Sequence, residues 1–290
     1  MLRGCARVLA RNHAEQAFGG GLGDNPRATI PSALERSAGT IAFDAIDCDD
    51  DQGSHGGAIT RGPGGRIVVS QTETMIAVKL QFEDRARAAT ECRECFTRRE
   101  VQAPYINVAQ PRWVGPKYWD SHFRVAVLML NPGQSRRDSG ARQFLRLIQE
   151  FREGTTQLDK ILEGQRESME SWGNPPGRFT GFYIDGLGLD FDDIAFANVA
   201  WCATASNRYP GTMLNRCFDL HTGPLLKILQ PAVVLASGRR VQGFGKKITA
   251  ILPETTVIAT MHYAHRKGRV TERRELARVR SALKAARSAS

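Results

Sequence analysis

Four of the six cysteines have a spacing that suits a metal centre. Cys92 and Cys95 form a Cys-x2-Cys pair, and Cys202 and Cys217 follow more than a hundred residues later, with 14 residues between them. Four thiolates suit tetrahedral zinc or a four-iron cluster. Spacing alone does not choose between these metals, and buried thiols without a ligand role are the alternative.

Three polar side chains come at the ends of short apolar runs and have the types needed for catalysis. They are Asn131, Asn198 and His262. A carboxamide offers two donors and an acceptor, so it can hold a water or the edge of a base. A histidine can stabilise negative charge that develops in a reaction. The alternative is that each is an ordinary buried group with structural partners.

The apolar runs before these residues predict buried strands, and amphipathic segments between the runs predict helices. Strands are predicted at 125–130, 194–199, 232–236 and 256–261. Helices are predicted around 144–151, 158–162, 212–222, 224–229 and 271–286. Strands that alternate with helices predict an α/β fold: three α/β/α layers around a central, mainly parallel, four-stranded sheet. The carboxyl ends of its strands would bring the three polar residues to one crevice.

The segment before the first core strand is less regular. Residues 76–80 and 105–108 are β-like, and residues 83–90 favour a helix. Residues 111–119 are expected to form a loop with exposed aromatic side chains. Residues 152–190 form a long connection between the first two core strands.

Length and composition indicate a soluble protein with one folded domain. We expect residues 74–290 to form that domain, as a monomer in the cytoplasm, and residues 1–73 to be a disordered or non-native N-terminal extension. The extension contains 12 of the 28 glycines, all of them in its first 65 residues. No stretch approaches the roughly 18 to 20 apolar residues that a membrane span needs.

The formal net charge of +10 is unevenly distributed along the chain. Residues 1–73 hold 7 basic and 9 acidic residues, and residues 74–290 hold 33 basic and 21 acidic residues, about −2 and +12 respectively. An excess of positive charge on the folded part favours an anionic partner, of which nucleic acid is the commonest. A solvated basic surface is the alternative.

The cysteines and Asn198 belong to a longer pattern. Phe196-Ala-Asn-Val-Ala-Trp-Cys202 is followed by Asn207-Arg-Tyr-Pro210 and then by Cys217. With the earlier Cys-x2-Cys pair, this pattern resembles the uracil-DNA glycosylase superfamily, most closely the iron–sulfur uracil-DNA glycosylases, over about residues 88–270. The resemblance implies a glycosylase fold and a 4Fe-4S cluster held by the four cysteines, in place of the alternative, zinc.

The resemblance also implies roles for the polar residues at the strand ends. Leu130-Asn-Pro-Gly133 looks like the first motif of the mismatch-specific and single-strand-selective branches, whereas the iron–sulfur group usually has an acidic residue at the place of Asn131. By this resemblance, Asn131 positions the attacking water and Gly133 contributes to the base pocket. Asparagine is a poor general base, so its help would be orientation.

Further base-pocket roles follow from the same resemblance. It implies that Asn198 reads the base, that Phe144 stacks on it, and that His262 stabilises the leaving uracil anion. This chain has His262-Tyr-Ala264 where the family has His-Pro-Ser, which puts the geometry of that loop in question. Five residues are predicted to bind DNA phosphates; they are Arg208, His265, Arg266, Lys267 and Arg269.

The sequence therefore predicts a monofunctional enzyme that hydrolyses the N-glycosidic bond of uracil, or of a related damaged base, in single- or double-stranded DNA. The base would flip out of the stack into the crevice. Two alternatives stay open. One is a nucleic-acid-binding protein of glycosylase fold with little or no catalysis, and the other is an enzyme that acts on another modified pyrimidine.

Overall fold

The computed structural model describes residues 71–96, 106–132, 139–173, 175–205, 207–265 and 268–289. These residues all belong to one compact unit, Ile59–Ser290. Residues 1–70, nearly all of the predicted N-terminal extension, lie outside the described residues. None of the helices in the described part of the chain is long and apolar enough to cross a membrane.

The centre of the fold is a four-stranded sheet in which every pairing is parallel. Its strands are β1 (Val125–Met129), β2 (Ile194–Asn198), β3 (Val233–Ser237) and β4 (Thr256–Thr260). Their order in the sheet is β2-β1-β3-β4, so the first strand lies inside the sheet. The predicted α/β fold with a parallel four-stranded sheet is confirmed.

Helices connect the strands and precede and follow the sheet. The helices of the described residues are α1 (Gln71–Thr90), α2 (Ser139–Glu153), α3 (Leu158–Glu170), α4 (Arg178–Thr180), α5 (Gly211–Cys217), α6 (Gly223–Leu229), α7 (Arg239–Gln242), α8 (Gly245–Ile251) and α9 (Arg269–Ala289). A π-helical turn, Gly181–Asp185, extends α4, and a second one, Phe218–Thr222, joins α5 to α6.

The two faces of the sheet carry two separate hydrophobic cores, because successive side chains of a strand point to opposite faces. Leu128, Ala197 and Ala236 face a core built with α1, α2, α3, α5, α6 and α8. Phe196 and Leu235 face the other core, built with α9 and the segment around α4. Helices therefore cover both faces, which gives the three α/β/α layers.

The prediction of a strand at 76–80 was wrong, because these residues lie within α1. Ile76 and Leu80 are exposed, with 52% and 56% of their surface accessible. The side chains that pack recur at helical spacing; they are Met75, Val78, Phe82, Ala86 and Ala89. A spacing of three and four residues fits one face of a helix and not the alternation of a strand. Residues 106–108 are not a strand either.

The aromatic residues of the 111–119 loop are buried, in contrast to the prediction. Two of the three large rings have a partner for their polar end, which removes the cost of burying it. The Trp113 indole N–H donates to the Phe191 carbonyl oxygen at 2.9 Å, and the Tyr118 hydroxyl donates to the Leu229 carbonyl oxygen at 3.1 Å. The loop thereby becomes part of the core around the sheet.

Candidate active site

The carboxyl edge of the sheet brings together the predicted polar residues. Asn198 ends β2, Asn131 follows β1 by two residues, and His262 follows β4 by two residues. The ladder between β1 and β2 continues past their ends, where the Ala200 N–H donates to the Leu130 carbonyl oxygen at 2.9 Å. With neighbouring strands about 4.8 Å apart, the ends of β1 and β4 lie about 10 Å apart.

His262 lies beside the end of the intervening strand, β3. Gly238 follows that strand with φ of 87°, and a Cβ added there would lie 3.5 Å from the Cβ of His262. A glycine is favoured at this position because its backbone is in the left-handed region. The turn after β3 therefore gives His262 room at the same edge as the two asparagines.

Asn131 is held by the segment that follows β2. Its side-chain Nδ2 donates to Asn207 Oδ1 at 3.1 Å, and Asn207 adopts a left-handed conformation with φ of 53°. Asparagine tolerates that conformation better than most residues. The Asn131 carboxamide also bonds to the Tyr209 hydroxyl. Because Nδ2 is the donor toward Asn207, Oδ1 is the atom that can accept a hydrogen bond from a water.

Asn198 is buried, with 1% of its surface accessible. Only one orientation of its carboxamide satisfies the neighbouring groups. In that orientation Oδ1 accepts from Arg112 Nε at 3.1 Å, and Nδ2 donates to the Ala197 carbonyl oxygen at 3.2 Å. Oδ1 also lies 3.0 Å from the nitrogen of Pro132, which carries no hydrogen and is therefore only a contact. Asn198 thus packs directly against the turn that follows Asn131.

Arg112 is a site residue that sequence reasoning missed. It is 3% exposed, and its Nη2 donates to Gln110 Oε1 at 3.0 Å. Burial lowers its pKa to about 9, against the opposing effects of Tyr209 and Cys202. At neutral pH the guanidinium is therefore still positively charged. The sequence offered one signal, a single basic residue between Pro111 and Trp113 within a largely apolar stretch.

The imidazole of His262 is partly buried and has one nitrogen engaged. The Ala264 backbone N–H donates to His262 Nδ1 at 3.2 Å. Burial lowers the pKa of His262, and the nearby His265 lowers it further. A neutral ring that accepts at Nδ1 carries its proton at Nε2. His262 therefore presents an N–H donor at neutral pH.

Tyr263 supports the His262 loop through ring contacts. Its ring centroid lies 4.4 Å from that of His262, with the planes 31° apart. It meets the Phe179 ring edge-on at 5.2 Å and the Tyr183 ring at 6.2 Å. Phe179 and Tyr183 belong to the long connection between β1 and β2. This connection therefore supplies an aromatic base for the loop that carries His262 and Tyr263.

Polar contacts hold the same loop at both ends. The Met261 N–H donates to Glu275 Oε1 at 2.9 Å, so α9 fixes the start of the loop. Arg178 donates to the His265 carbonyl oxygen at 3.0 Å and pairs with Glu272 at 2.6 Å. The two acidic residues near the start of α9 are thus used to hold the loop.

The remaining predicted site residues have less definite surroundings. Phe144 lies on α2, half-buried against the core of that face. Arg208, His265 and Arg269 are exposed. Gly133, Arg266 and Lys267 lie outside the described residues.

The four cysteines of the predicted metal centre are near enough to interact electrostatically. Cys202 and Cys217 are buried, and Cys92 and Cys95 are partly buried. Burial is the main cause of a raised pKa at Cys202, and the charges of the other three thiols raise it further. Burial likewise raises the pKa of Cys217 to about 12.

Two contacts hold the cysteine segments together. Glu94, between Cys92 and Cys95, pairs with Arg216, the neighbour of Cys217. The Trp201 backbone N–H donates to Cys217 Sγ at 3.3 Å, the kind of contact that tunes metal-bound sulfur. Within the described ranges, no group of three or more His, Cys, Asp or Glu side chains is positioned to hold a metal ion as it stands. The chemistry of the donor set still fits a four-thiolate centre, because a central cation would reverse the mutual repulsion of the thiolates.

A short covalent and hydrogen-bonded route links this centre to Asn198. Cys202 follows Asn198 by four residues. The Thr222 hydroxyl donates to the Asn198 carbonyl oxygen at 2.7 Å and accepts from the Trp201 indole N–H at 3.2 Å. The segment that carries the base-reading candidate therefore has little freedom to move independently of the cysteines.

No protein-family model matches the sequence, and no curated protein matches it. The resemblance to the iron–sulfur uracil-DNA glycosylases therefore stays a prediction based on the motifs.

Proposed function

We propose that this protein is a monofunctional DNA glycosylase that hydrolyses the N-glycosidic bond of uracil in DNA, with related damaged bases as further substrates. The observation that carries the proposal is the juxtaposition at one sheet edge of a buried, oriented Asn198, of Asn131 beside it, and of a neutral His262. These are the groups that base reading, water positioning and anion stabilisation require.

Base reading is assigned to the Asn198 carboxamide. Its Oδ1 accepts from N3–H of uracil, and the second hydrogen of Nδ2 donates to O4. Cytosine has an acceptor at N3, which would face the acceptor Oδ1. It has an amine at C4, which would face the donor Nδ2, so neither hydrogen bond could form. A buried site that is built for hydrogen bonds rejects such a mismatch strongly.

Bond cleavage is assigned to His262 and Asn131. As the bond between C1′ and N1 breaks, its electron pair moves to the base, and His262 Nε2–H donates to the O2 that gains charge. Asn131 Oδ1 orients a water, whose oxygen bonds to C1′ and whose proton passes to solvent. The uracil anion then takes a proton from solvent. Asn131 contributes orientation and no proton removal in this mechanism.

DNA binding is assigned to the positive charge of the folded part. Arg208, His265 and Arg269 are exposed and available for phosphates that flank the flipped nucleotide. This term is independent of base sequence, so it brings the enzyme to DNA and leaves selection to the pocket.

The four cysteines are assigned a structural role. A 4Fe-4S cluster held by Cys92, Cys95, Cys202 and Cys217 would take no part in bond cleavage. Its ligands would fix the segment from Asn198 to Cys217 against the turn after α1. Zinc in the same four-thiolate site is the alternative metal.

The test is excision of uracil from oligonucleotides with a single uracil, in single strands and in duplexes, with alkaline cleavage at the abasic product. We expect the wild-type protein to form that product and Asn131→Ala and Asn198→Ala to lose about 100-fold or more in rate. Asn215→Ala is the matched control, because Asn215 is an exposed asparagine on α5 whose hydrogen bond among the described contacts lies within its helix. Binding of DNA without an abasic product from uracil or any other damaged base would favour the non-catalytic alternative.

A further inference from the structure

Arg112 is a buried cation with an unusual set of neighbours. The groups that oppose the effect of burial on its charge are the Tyr209 hydroxyl and the Cys202 thiol, and not a carboxylate. Burying a guanidinium costs free energy unless its hydrogen bonds are made. Its side-chain partners among the described contacts are Gln110, which accepts from Nη2, and Asn198, which accepts from Nε. The contact to Asn198 is therefore part of what keeps Arg112 buried.

The same contact determines the orientation of the Asn198 carboxamide. Rotating that amide by half a turn would place its NH₂ group against Arg112 Nε–H and its oxygen against the Ala197 carbonyl oxygen. Both hydrogen bonds would be lost, and like groups would face each other in a buried place. An unsatisfied buried polar group costs free energy, so the reversed orientation is disfavoured both at the oxygen and at the nitrogen of the carboxamide.

The orientation matters because a reversed carboxamide has the opposite pattern of donor and acceptor. The held orientation suits N3–H and O4 of uracil, whereas the reversed one suits N3 and the C4 amine of cytosine. An asparagine that could rotate freely would therefore distinguish the two bases poorly. Discrimination requires a group that fixes the amide, and the fork of Arg112 is such a group.

We infer that Arg112 is a positioning residue that holds Asn198 in the uracil-reading orientation and thereby sets the discrimination of uracil against cytosine. The inference rests on the proposed function. Gln110 Oε1 accepts from Nη2 of the same guanidinium and so limits its rotation. Arg112 thus contacts Asn198 directly and lies near enough to Cys202 of the predicted metal centre to interact with it electrostatically.

The test compares the affinities of oligonucleotides that carry uncleavable 2′-fluoroarabino analogues of deoxyuridine and deoxycytidine. We expect Arg112→Met to reduce the ratio of the two affinities by about ten-fold or more, mainly by weaker binding of the uridine analogue. Arg146→Met is the matched control, because Arg146 is an exposed arginine on α2 that pairs only with Glu150 among the described contacts. The control should keep the wild-type ratio. A merely structural role of Arg112 would weaken both affinities alike.

A second variant keeps the test decisive if Arg112→Met does not fold. Arg112→Lys retains the positive charge but lacks the planar fork, so it should lose discrimination while it keeps its metal content and thermal stability nearer to wild type. A wild-type ratio in both variants, with uracil excised by the wild-type protein, overturns the inference alone. A wild-type protein that excises no uracil overturns the proposed function on which the inference rests.

Discussion

At the scale of single residues, the protonation state of His262 links the structure to a measurable pH profile. Its pKa is lowered by burial and by His265, so the neutral form predominates at pH 7. A neutral ring with its proton on Nε2 can donate to the departing base without first being deprotonated. A protonated ring would place a positive charge in a partly buried place.

We expect kcat/KM for uracil excision to be constant from pH 7 to 8 and to fall on the acid side, with a midpoint below the ordinary histidine value of 6.5. Because the pKa of His262 is lowered, its ring gains a proton only at acidic pH. The hydrogen-bond donor and the geometry of the loop change only then, so the rate falls on the acid side. Rates measured between pH 4.5 and 8 check it. An acid limb centred above 6.5, or the same limb in His262→Gln, would contradict the assignment.

His221 is a second residue whose protonation has a predicted consequence. It lies in the π-helical turn after Cys217, 8% exposed, with its ring tilted against that of Trp201. Neither of its ring nitrogens has a hydrogen-bond partner in the part of the chain described. Burial lowers its pKa to about 4, and the charge of Arg85 contributes in the same direction.

Because the unfolded chain takes up a proton at His221 more readily than the folded one, stability should fall as pH decreases from about 6.5 to about 4. The loss attributable to this group is at most about 3 kcal/mol. Denaturant unfolding of wild type and His221→Phe at pH 7 and pH 5 checks this. The phenylalanine variant should lose less stability between the two pH values, and equal losses would show that His221 does not titrate in this range.

At the scale of elements, the loop that carries His262 depends on the connection between β1 and β2. Tyr263 lies against Phe179 and Tyr183 of that connection, and Arg178 holds the loop at His265. These contacts fix the loop by aromatic packing.

Tyr263→Ala should therefore lower kcat for uracil excision by about ten-fold or more, with a smaller effect on KM, because the position of His262 changes and the base pocket does not. Tyr263→Phe keeps the ring and should stay near wild type. Steady-state kinetics of both variants check this. If the alanine variant matched the phenylalanine variant, the ring contacts would not position His262.

The segment from Asn198 to Cys217 is the second element with a testable dependence. Two buried cysteines and the Thr222 hydrogen bonds hold it against the sheet edge. Loss of one ligand should remove the metal and loosen the segment.

Cys202→Ser should lose bound metal, assayed as iron, sulfide and zinc on the same sample, and should be less stable to heat than wild type. Visible absorption distinguishes an iron–sulfur cluster from zinc. Cys48→Ser changes a cysteine outside the predicted ligand set and should keep both properties. Unchanged metal content in Cys202→Ser would remove Cys202 from the ligand set.

At the scale of the whole molecule, positive charge should govern affinity for DNA. α9 begins next to the His262 loop, and its exposed Arg273 and Arg274 form no ion pair among the described contacts. Lys227 and Lys284 are also exposed, near the ends of α6 and α9. Lys227 lies far from the strand ends that carry the site, because α6 leads directly into the start of β3, at the opposite edge of the sheet.

Replacing Arg273 and Arg274 with glutamine should reduce the slope of log Kd against log salt concentration by about 1 to 2, whether or not the DNA contains uracil. The charge-matched control, Lys227→Gln with Lys284→Gln, should keep the wild-type slope. Fluorescence anisotropy over a range of salt concentrations checks this. Equal slopes for the two double variants would place the phosphate contacts elsewhere.

Much of the fold could be predicted because the sheet is buried on both faces. Runs such as Val125–Leu130 have no polar alternation and end in turn residues, which identifies strands of a parallel sheet. The helical nature of residues 76–80 could not be predicted as easily, since a five-residue window does not separate the two periods. The position of Asn198 beside Asn131 follows from strand order, but its contact with Arg112 does not. That contact depends on how the 111–119 loop folds into the core, which short-range patterns do not encode.

The order of the strands has a consequence for biosynthesis. β1 lies inside the sheet, yet its neighbours β2 and β3 begin 69 and 108 residues later, at Ile194 and Val233 compared with Val125. At about 5 to 20 residues per second, a ribosome needs roughly 5 to 20 s to supply the second neighbour. Both edges of this apolar strand are unpaired until β2 has been made, and one edge stays unpaired until β3 follows, which is a condition for aggregation. The yield of folded protein should therefore increase more with a lower growth temperature or added chaperones than with changes to its surface.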